Sequence, residues 1–322
     1  MNSKTPRVSI ILPNYNHEPF LRERLDSIIA QTFTDWELIV LDDKSHDRSL
    51  DVIREYAARE PRITRVVENE ANSGSTFRQW KKGIELASAP LIWIAESDDV
   101  ANPEFLAEAV AALDASPGTG IAFCNSQLID GQSNALPLDL DSDDSTEEGA
   151  TYHDAKDFIS GKMLVNNRLY NASAVVFRRE LYDKLTTDLT RFRLCGDWVC
   201  WAQMIAASGS VAWLHRKLNS FRQHTAKVTS QAKKNGMEMM ERAEAAVILL
   251  QLAQPSWWKR NCMIGYNAVH ASRGTSYDLQ TRLQVLARWR HRFGSLFTPR
   301  LVFLFRAAVK RATGRNKDPY SL

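Results

Sequence analysis

Two pairs of adjacent aspartates each end an apolar run. Asp42-Asp43 closes WELIVLDD, and Asp98-Asp99 closes LIWIAESDD. Adjacent carboxylates at a rigid strand end repel one another, and each is costly to bury unpaired. A hard divalent cation relieves both costs by accepting oxygen ligands at about 2.0–2.2 Å, and Mg2+ characteristically combines one or two carboxylates with substrate phosphates. The Asp98-Asp99 pair therefore suits nucleotide-diphosphate chemistry, although Asp99 would equally serve as a plain cap for the helix opening at NPEF. A second Ser-Asp-Asp, at Ser142, Asp143 and Asp144, has no apolar run before it. It reads as solvated charge in a surface loop spanning 131–150.

The elements that would aim these residues follow an alternating order. VSIILP is β-branched and apolar throughout, the pattern of a strand buried on both faces. EPFLRERLDSIIAQ follows with Leu21, Leu25, Ile28 and Ile29 at helical spacing. The alternation repeats through WELIVLDD, SLDVIREYAARE, ITRVVEN, STFRQWKKGIELAS, LIWIAE, NPEFLAEAVAALDAS and GIAFCNSQLID. Such a β-α-β-α order predicts an open, mostly parallel α/β sheet flanked by helices. Ligands bind at the carboxyl ends of strands in open α/β sheets. Pro13-Asn14-Tyr15-Asn16, Asp42-Asp43 and Asp98-Asp99 would then meet along one edge, while Asp143 and Asp144 have no strand to bring them there. Downstream, further elements are expected at Ala155–Val165 (helix), SAVVFRR (strand), Glu180–Leu185 (helix), a helix opening near Asp197 and VAWLHRKLNSFRQH (one strand or two). From about Gln231 the pattern is helical.

The 322 residues, 44% hydrophobic and 25% charged, suit a soluble protein with a real core. Four cysteines without a CxxC pair are no disulfide framework. They fit a cytoplasmic chain. The opening MNSKTPRVSIILPNYN is neither a leader peptide nor a span, and no later run reaches the roughly 18 apolar residues a spanning helix needs. The net charge of +3 is unevenly placed: from Lys259 onward the only acids are Asp278 and Asp318. That asymmetry points to an anionic surface for the tail.

The motifs act together. VSIILPNYN, SIIAQT, WELIVLDDKS, NSG and LIWIAESDD resemble, in order and spacing, family 2 glycosyltransferases of the GT-A fold, clearly over residues 7 to about 125 and more faintly to about 230. The resemblance implies a GT-A catalytic domain over 1–230, with a donor half (1–125) and an acceptor half (126–230), and a helical basic region over 231–322. It implies an inverting transfer from a nucleotide sugar, a UDP or dTDP sugar, to a saccharide or lipid-linked acceptor of a surface polysaccharide, with Mn2+ or Mg2+. Pro13, Tyr15 and Asn16 would line the nucleotide pocket, Asp43 would accept from the base and Asp42 would brace the loop. Asn72 and Gly74 match the N-x-G position, and Arg78 would approach the phosphates or stay a solvated helix face. Asp98 would face the ribose or a metal-bound water, and Asp99 would bind the metal. Glu96 stands where relatives more often have Asp. Asp197, in LCGDWVCWAQ, would be the base that deprotonates the acceptor, as well as or instead of a helix N-cap; Gly196 stands in place of the usual acid. His224 in FRQHTAKVTS would touch metal or diphosphate, or be structural. Trp198 would pack on an acceptor ring or in the core, Asn171 would border the acceptor, and Ser173 would border it or be structural.

The tail supplies SLFTPRLVFLFRAAVKRATGRNK and LQVLARWRHRF, in which apolar residues alternate with Arg and Lys. That is the composition of an interfacial helix on an anionic membrane, placing the protein on the inner face of the plasma membrane; a basic-faced helical subdomain is the other reading. Nucleic acid is not an expected partner, because no recognised module is present. Two rivals are a nucleotidyltransferase, which would normally carry a Gly-rich phosphate loop that NYNHEPFL lacks, and a nucleotide-sugar-binding protein without catalysis.

Overall fold

The structure, a computed structural model, describes residues 5–138, 149–223, 236–273 and 277–312. Contacts group the chain into two compact units that interleave along the sequence. The first takes in the chain up to His153, then Leu169–Arg193 and the strand after Ala207. The second consists of Asp154–Arg168, Leu194–Ala206 and the C-terminal helices. This division does not coincide with a single boundary near residue 230: two short segments of the expected catalytic domain belong with the helices.

The first unit is built on a nine-stranded mixed sheet. Strands β1 (Val8–Asn14), β2 (Trp36–Asp42), β3 (Ile63–Glu68) and β4 (Leu91–Ile94) run parallel in the order β3-β2-β1-β4. Helices α1 (Glu18–Ile29), α2 (Ser49–Arg59) and α3 (Thr76–Leu86) connect them. Every residue of β1, β2 and β4 is buried, which is why these strands read as unbroken apolar runs rather than alternating ones. One face (Ile10, Leu12, Leu38, Val40, Trp93) joins a core with Leu21, Leu25, Val52, Ile53 and, from α4 (Phe105–Ala115), Phe105 and Leu106.

Beyond β4 the sheet mixes parallel and antiparallel pairings. After the short β5 (Val100–Ala101) come β6 (Thr119–Ile129), β7 (Ala150–Asp154), β8 (Val175–Arg178) and β9 (Ser210–Arg222). Strand β8 inserts antiparallel between β4 and β6, β9 runs parallel to β6, and β5 pairs antiparallel with β9. The segment VAWLHRKLNSFR is therefore one long strand, with register shifts against β6.

In the second unit the expected helix at 155–165 is a short α5 (Ala155–Phe158) followed by a π turn, Ile159–Met163. Helix α6 (Gly196–Ser208) begins where expected. The C-terminal region holds α7 (Met237–Ala253), α8 (Trp257–Arg273), α9 (Leu279–Phe293) and α10 (Phe297–Ala312). The buried Trp289 of α9 donates from Nε1 to the Met239 carbonyl. Residues 180–185, expected helical, form only a 3-10 turn over Arg179–Leu181.

Helix α3 lies tight on β1 at Gly83, where an added Cβ would stand 2.3 Å from Ile11 Cγ2. Alanine favours a helix over glycine by about 1 kcal/mol, but overpacking a filled core costs about 1–3 kcal/mol. Gly83→Ala is expected to destabilise the fold in a denaturant titration; a gain in stability would show that α3 is not pressed on the sheet here.

Candidate active site

The turn after β4 is the centre of the site. Asp99 is 1% exposed. Its Oδ2 accepts from Asn171 Nδ2 (2.8 Å) and Ser173 Oγ (2.7 Å), and its Oδ1 accepts from the backbone N–H of Arg222 at 3.0 Å. Asp99 thus fastens the turn to the segment entering β8 and to the end of β9. Burial and the neighbouring Asp98 push its carboxyl up, against the pull of Arg24, Ser173 and Asn171. Asp98 is the more exposed of the pair, and its carbonyl accepts from Arg222 Nε at 2.7 Å. Glu96 accepts from Trp80 Nε1 at 2.9 Å, and its backbone N–H donates to Ser173 Oγ at 3.1 Å. Burial first, then Asp98, raise the Glu96 carboxyl to about 8, so it holds a proton at neutral pH.

The parallel register brings the neighbouring strand ends alongside. Asn14 lies opposite Asp42 and donates from Nδ2 to Asp42 Oδ1 and to Ser45 Oγ. Asp42 is fully buried and also accepts from the Ser45 backbone N–H, which is the bracing role expected of it. Asp43 Oδ1 accepts from Asn69, the Ser73 N–H and Gln79, and Oδ2 accepts from Ser73 Oγ. A carboxylate oxygen has two lone pairs, so Oδ2 retains capacity for one more donor. Asn72 Nδ2 donates to the Asp43 carbonyl, and Asn72 Oδ1 receives the N–H of Gly74, which adopts φ +66°. These bonds shape the loop that leads into α3. Arg78, exposed in the first turn of α3, donates to the Ser73 carbonyl. Pro13 is buried at the end of β1, Tyr15 is exposed and edge-on to His46, and Asn16 takes φ 55° with its side chain accepting from the His46 N–H. His17 Nδ1 meets Ser97 Oγ at 2.8 Å, joining the first-strand loop to the acidic turn.

In the second unit, Asp197 stands in the first turn of α6, half-buried. Its Oδ2 accepts from Asn167 Nδ2 at 2.9 Å and its Oδ1 from the Trp198 N–H at 2.7 Å. Burial outweighs both bonds and raises its carboxyl to about 7, the range in which a general base is most effective near neutral pH.

Both residues considered for the acceptor, Trp198 and Ser173, are buried, in keeping with the structural reading each also had. Trp198 is 2% exposed, bonded through Nε1 to the Met163 carbonyl and covered by the Arg242 guanidinium; it is a core residue with no ring face for a sugar. Ser173 is fully buried and bridges Asp99 and Glu96, so it braces the acidic turn. Asp99, expected to be the direct metal ligand, accepts from three protein donors, and Asp98 is the more exposed of the pair. His224, Asp143 and Asp144 lie outside the described residues. Sequence reasoning missed the bridging roles of His17, Arg222 and Gln79. It also missed Arg24, although Leu21, Arg24, Leu25 and Ile28 share one helical stripe and a lone Arg in such a stripe is a legible anomaly.

Among the described residues, no group of three or more His, Cys, Asp or Glu side chains is arranged to hold a metal ion. A divalent cation here would meet the carboxylates of Asp98 and Asp99, and a diphosphate would have to supply most of its other ligands.

Comparison with known proteins places this frame. The fold is that of GT-A glycosyltransferases. It is similar to Staphylococcus aureus TarS residues 1–349 in complex with UDP (TM-score 0.65, 16% identity, 98% of this chain and 93% of that one). It is also similar to the mannosyltransferase PcManGT of Pyrobaculum calidifontis in complex with GDP-Man and Mn2+ (TM-score 0.58, 17% identity, 98% and 85%). A family model, Glycosyl transferase family 2, matches residues 9–185, and the chain belongs to that family. An uncharacterised glycosyltransferase of Nostoc sp. is 25% identical over 88% of this chain and 84% of its own length. Coverage of other relatives is partial: the chain spans 14% of a Sinorhizobium fredii protein that is 36% identical over the matched 126 residues. It spans 19% of TarS, a poly(ribitol-phosphate) beta-N-acetylglucosaminyltransferase that is 33% identical over 110 residues.

The raised Asp197 carboxyl has a consequence for stability. The folded chain keeps the proton up to about 7, whereas the ordinary value is 3.8. The stability this proton contributes is complete below the ordinary value and is lost as pH rises through about 7. Asp197→Asn removes the buried charge and is expected to raise the apparent melting temperature at pH 8, by the equivalent of about 1 kcal/mol. The gap should narrow toward pH 5; an equal gap at both values would mean that Asp197 titrates normally.

Proposed function

We propose that the protein is an inverting glycosyltransferase that moves a sugar from a nucleoside diphosphate donor, a UDP or dTDP sugar, to a saccharide or lipid-linked acceptor of a surface polysaccharide. The observation that carries this reading is the convergence of the β1, β2 and β4 ends on one sheet edge. At that edge Asp43 has acceptor capacity left on Oδ2, and the turn after β4 carries the half-exposed Asp98. The structural relatives in complex with UDP and with GDP-Man and Mn2+ support the donor class and the cation.

In this reading Asp43 takes a base N–H, and Tyr15, Asn16 and the Asn72–Gly74 loop border the nucleotide. Arg78 lies where a phosphate oxygen would replace the Ser73 carbonyl as its partner. A Mn2+ or Mg2+ ion held by Asp98 and the diphosphate would supply charge neutralisation of the leaving group. Asp197 takes the proton of the acceptor hydroxyl as that oxygen bonds to the anomeric carbon. The nucleoside diphosphate departs with the electron pair of the broken C–O bond, in one displacement.

Asp197→Asn is expected to lower transfer at least about 100-fold while keeping the donor-induced thermal shift. Asp98→Ala should diminish both donor binding and transfer. The wild-type rate should fall below pH 7, as the base protonates near the value of about 7. Full activity in Asp197→Asn, read as released nucleoside diphosphate and glycosylated product, would remove the base assignment.

An anionic membrane is the proposed surface partner of the C-terminal helices. Among the described residues, no helix is long and apolar enough to cross a membrane. Phe297, Leu301, Leu304, Phe305 and Val309 are exposed and recur at helical spacing along one face of α10. Trp257 and Trp258 are exposed at the start of α8, Trp258 edge-on to Phe305 with centroids 6.2 Å apart. Lys259, Arg260, Arg300 and Arg306 supply cations next to these residues in sequence. A hydrophobic face edged by Arg and Lys matches an interfacial helix. The full chain should cosediment with phosphatidylglycerol vesicles at low salt and less so at high salt, and Phe305→Glu should weaken binding. Equal sedimentation with neutral vesicles would remove the electrostatic part of this proposal.

A further inference from the structure

Arg24 is an anomaly of the core. It lies on the buried stripe of α1 with Leu21, Leu25 and Ile28, and its side chain is fully buried. None of its three guanidinium nitrogens has a hydrogen-bond partner among the described residues. Its guanidinium carbon sits 4.9 Å from the centroid of the buried Trp93 ring. Trp93 belongs to β4, the strand that ends in the acidic turn. A buried charge of this kind is ordinarily paired, and an apolar side chain of similar volume would commonly be as stable or more so. Desolvation pulls Arg24 down to about 10, still protonated at neutral pH, and the groups that oppose this pull are Asp99, Asp98 and Glu96.

A second buried cation touches the same turn, but it differs in an instructive way. Arg222, 1% exposed, has a carboxylate of its own: Nη2 donates to Glu23 Oε2 at 2.6 Å. Its remaining donors go to the carbonyls of Asp98 and Asp130 and to Ser133 Oγ. Arg222 is therefore locally neutralised and acts as a brace. Arg24 has no hydrogen-bonded carboxylate among the described residues; it rests on Trp93, whose Nε1 donates to the carbonyl of Ser173, the residue that also bonds Asp99.

Resting on the reading that Asp98 and the diphosphate share a divalent cation, we propose that Arg24 is a positioning residue, the resident counter-cation of the Glu96–Asp99 turn, and that it delays cation loading until the nucleotide diphosphate is present. A fixed positive charge behind the turn offsets the field that would otherwise draw a cation to Asp98 in the free protein. It also steadies the adjacent carboxylates without a ligand. An arriving diphosphate adds negative charge, tips the balance and brings the cation with it. Coupling of this kind is reciprocal, so the cation strengthens nucleotide binding by the same factor that the nucleotide strengthens cation binding.

The test measures Mn2+ affinity directly on the full chain, by calorimetry or by the loss of free-Mn2+ paramagnetic signal, with and without UDP. Wild type should bind Mn2+ weakly alone and more tightly with UDP. Arg24→Met and Arg24→Gln should tighten Mn2+ binding in the absence of UDP by at least about tenfold, shrinking the gain conferred by UDP. Arg24→Lys, which keeps the charge, should stay close to wild type. Unchanged Mn2+ affinity in folded Arg24→Met and Arg24→Gln, or equal tightening in Arg24→Lys, would overturn the counter-cation role. Absence of Mn2+ binding by every variant even with UDP would instead overturn the underlying cation reading, and the role with it.

Discussion

The buried carboxylate of Asp99 is the interaction on which the rest of the site depends. Three donors from distant parts of the sequence, Asn171, Ser173 and the Arg222 backbone, converge on it. Without them two adjacent carboxylates at the end of β4 would repel and the turn would have no fixed course. With them the turn is tied to the segment entering β8 and to the end of β9, and Asp98 stays the more exposed of the pair. Removing any one donor would leave a buried carboxylate short of a bond, a penalty of about 1–3 kcal/mol.

The two aspartate pairs divide their work alike but in opposite order. In Asp42-Asp43 the first residue is sealed inside and braces the loop through Asn14 and Ser45, while the second keeps acceptor capacity. In Asp98-Asp99 the second is sealed inside and the first is open. The reason is local. Strand β2 continues through Asp42, whereas β4 stops at Ile94 and the chain turns before it reaches Asp98. Adjacent acids thus differ in their bonding, and in the second pair also in burial. The Asp197 carboxyl follows a third pattern, half-buried with two donors and a proton affinity suited to base chemistry.

Much of the fold was legible because its signals are local. Unbroken apolar runs announced β1, β2 and β4, and the 3.6-residue period announced α1 to α4 and α6. What escaped was non-local. No periodicity shows that β8 enters antiparallel between β4 and β6, or that Asp154–Arg168 and Leu194–Ala206 group with the C-terminal helices. The site followed the same division. The strand-end position of Asp43, Asp98 and the Asn72–Gly74 loop could be read from spacing, and so could the helix start at Asp197. Trp198 and Ser173 each kept two readings, because an aromatic ring or hydroxyl near a predicted site has no sequence mark that separates contact from core.

The sequence by itself determined the class of chemistry: apolar strands ending in acids, in the order and spacing of family 2 glycosyltransferases, with a basic helical tail. Only the tertiary structure decided how each acid is buried and bonded. Burial and hydrogen bonding set the proton affinity and the free valence of a carboxylate, and both depend on residues far away in the chain. Asp99 became a brace through Asn171, Ser173 and Arg222, Glu96 took up a proton beside Trp80, and Arg24 became a buried cation behind them. The same letters, Asp-Asp, carry none of that information until the fold has chosen their neighbours.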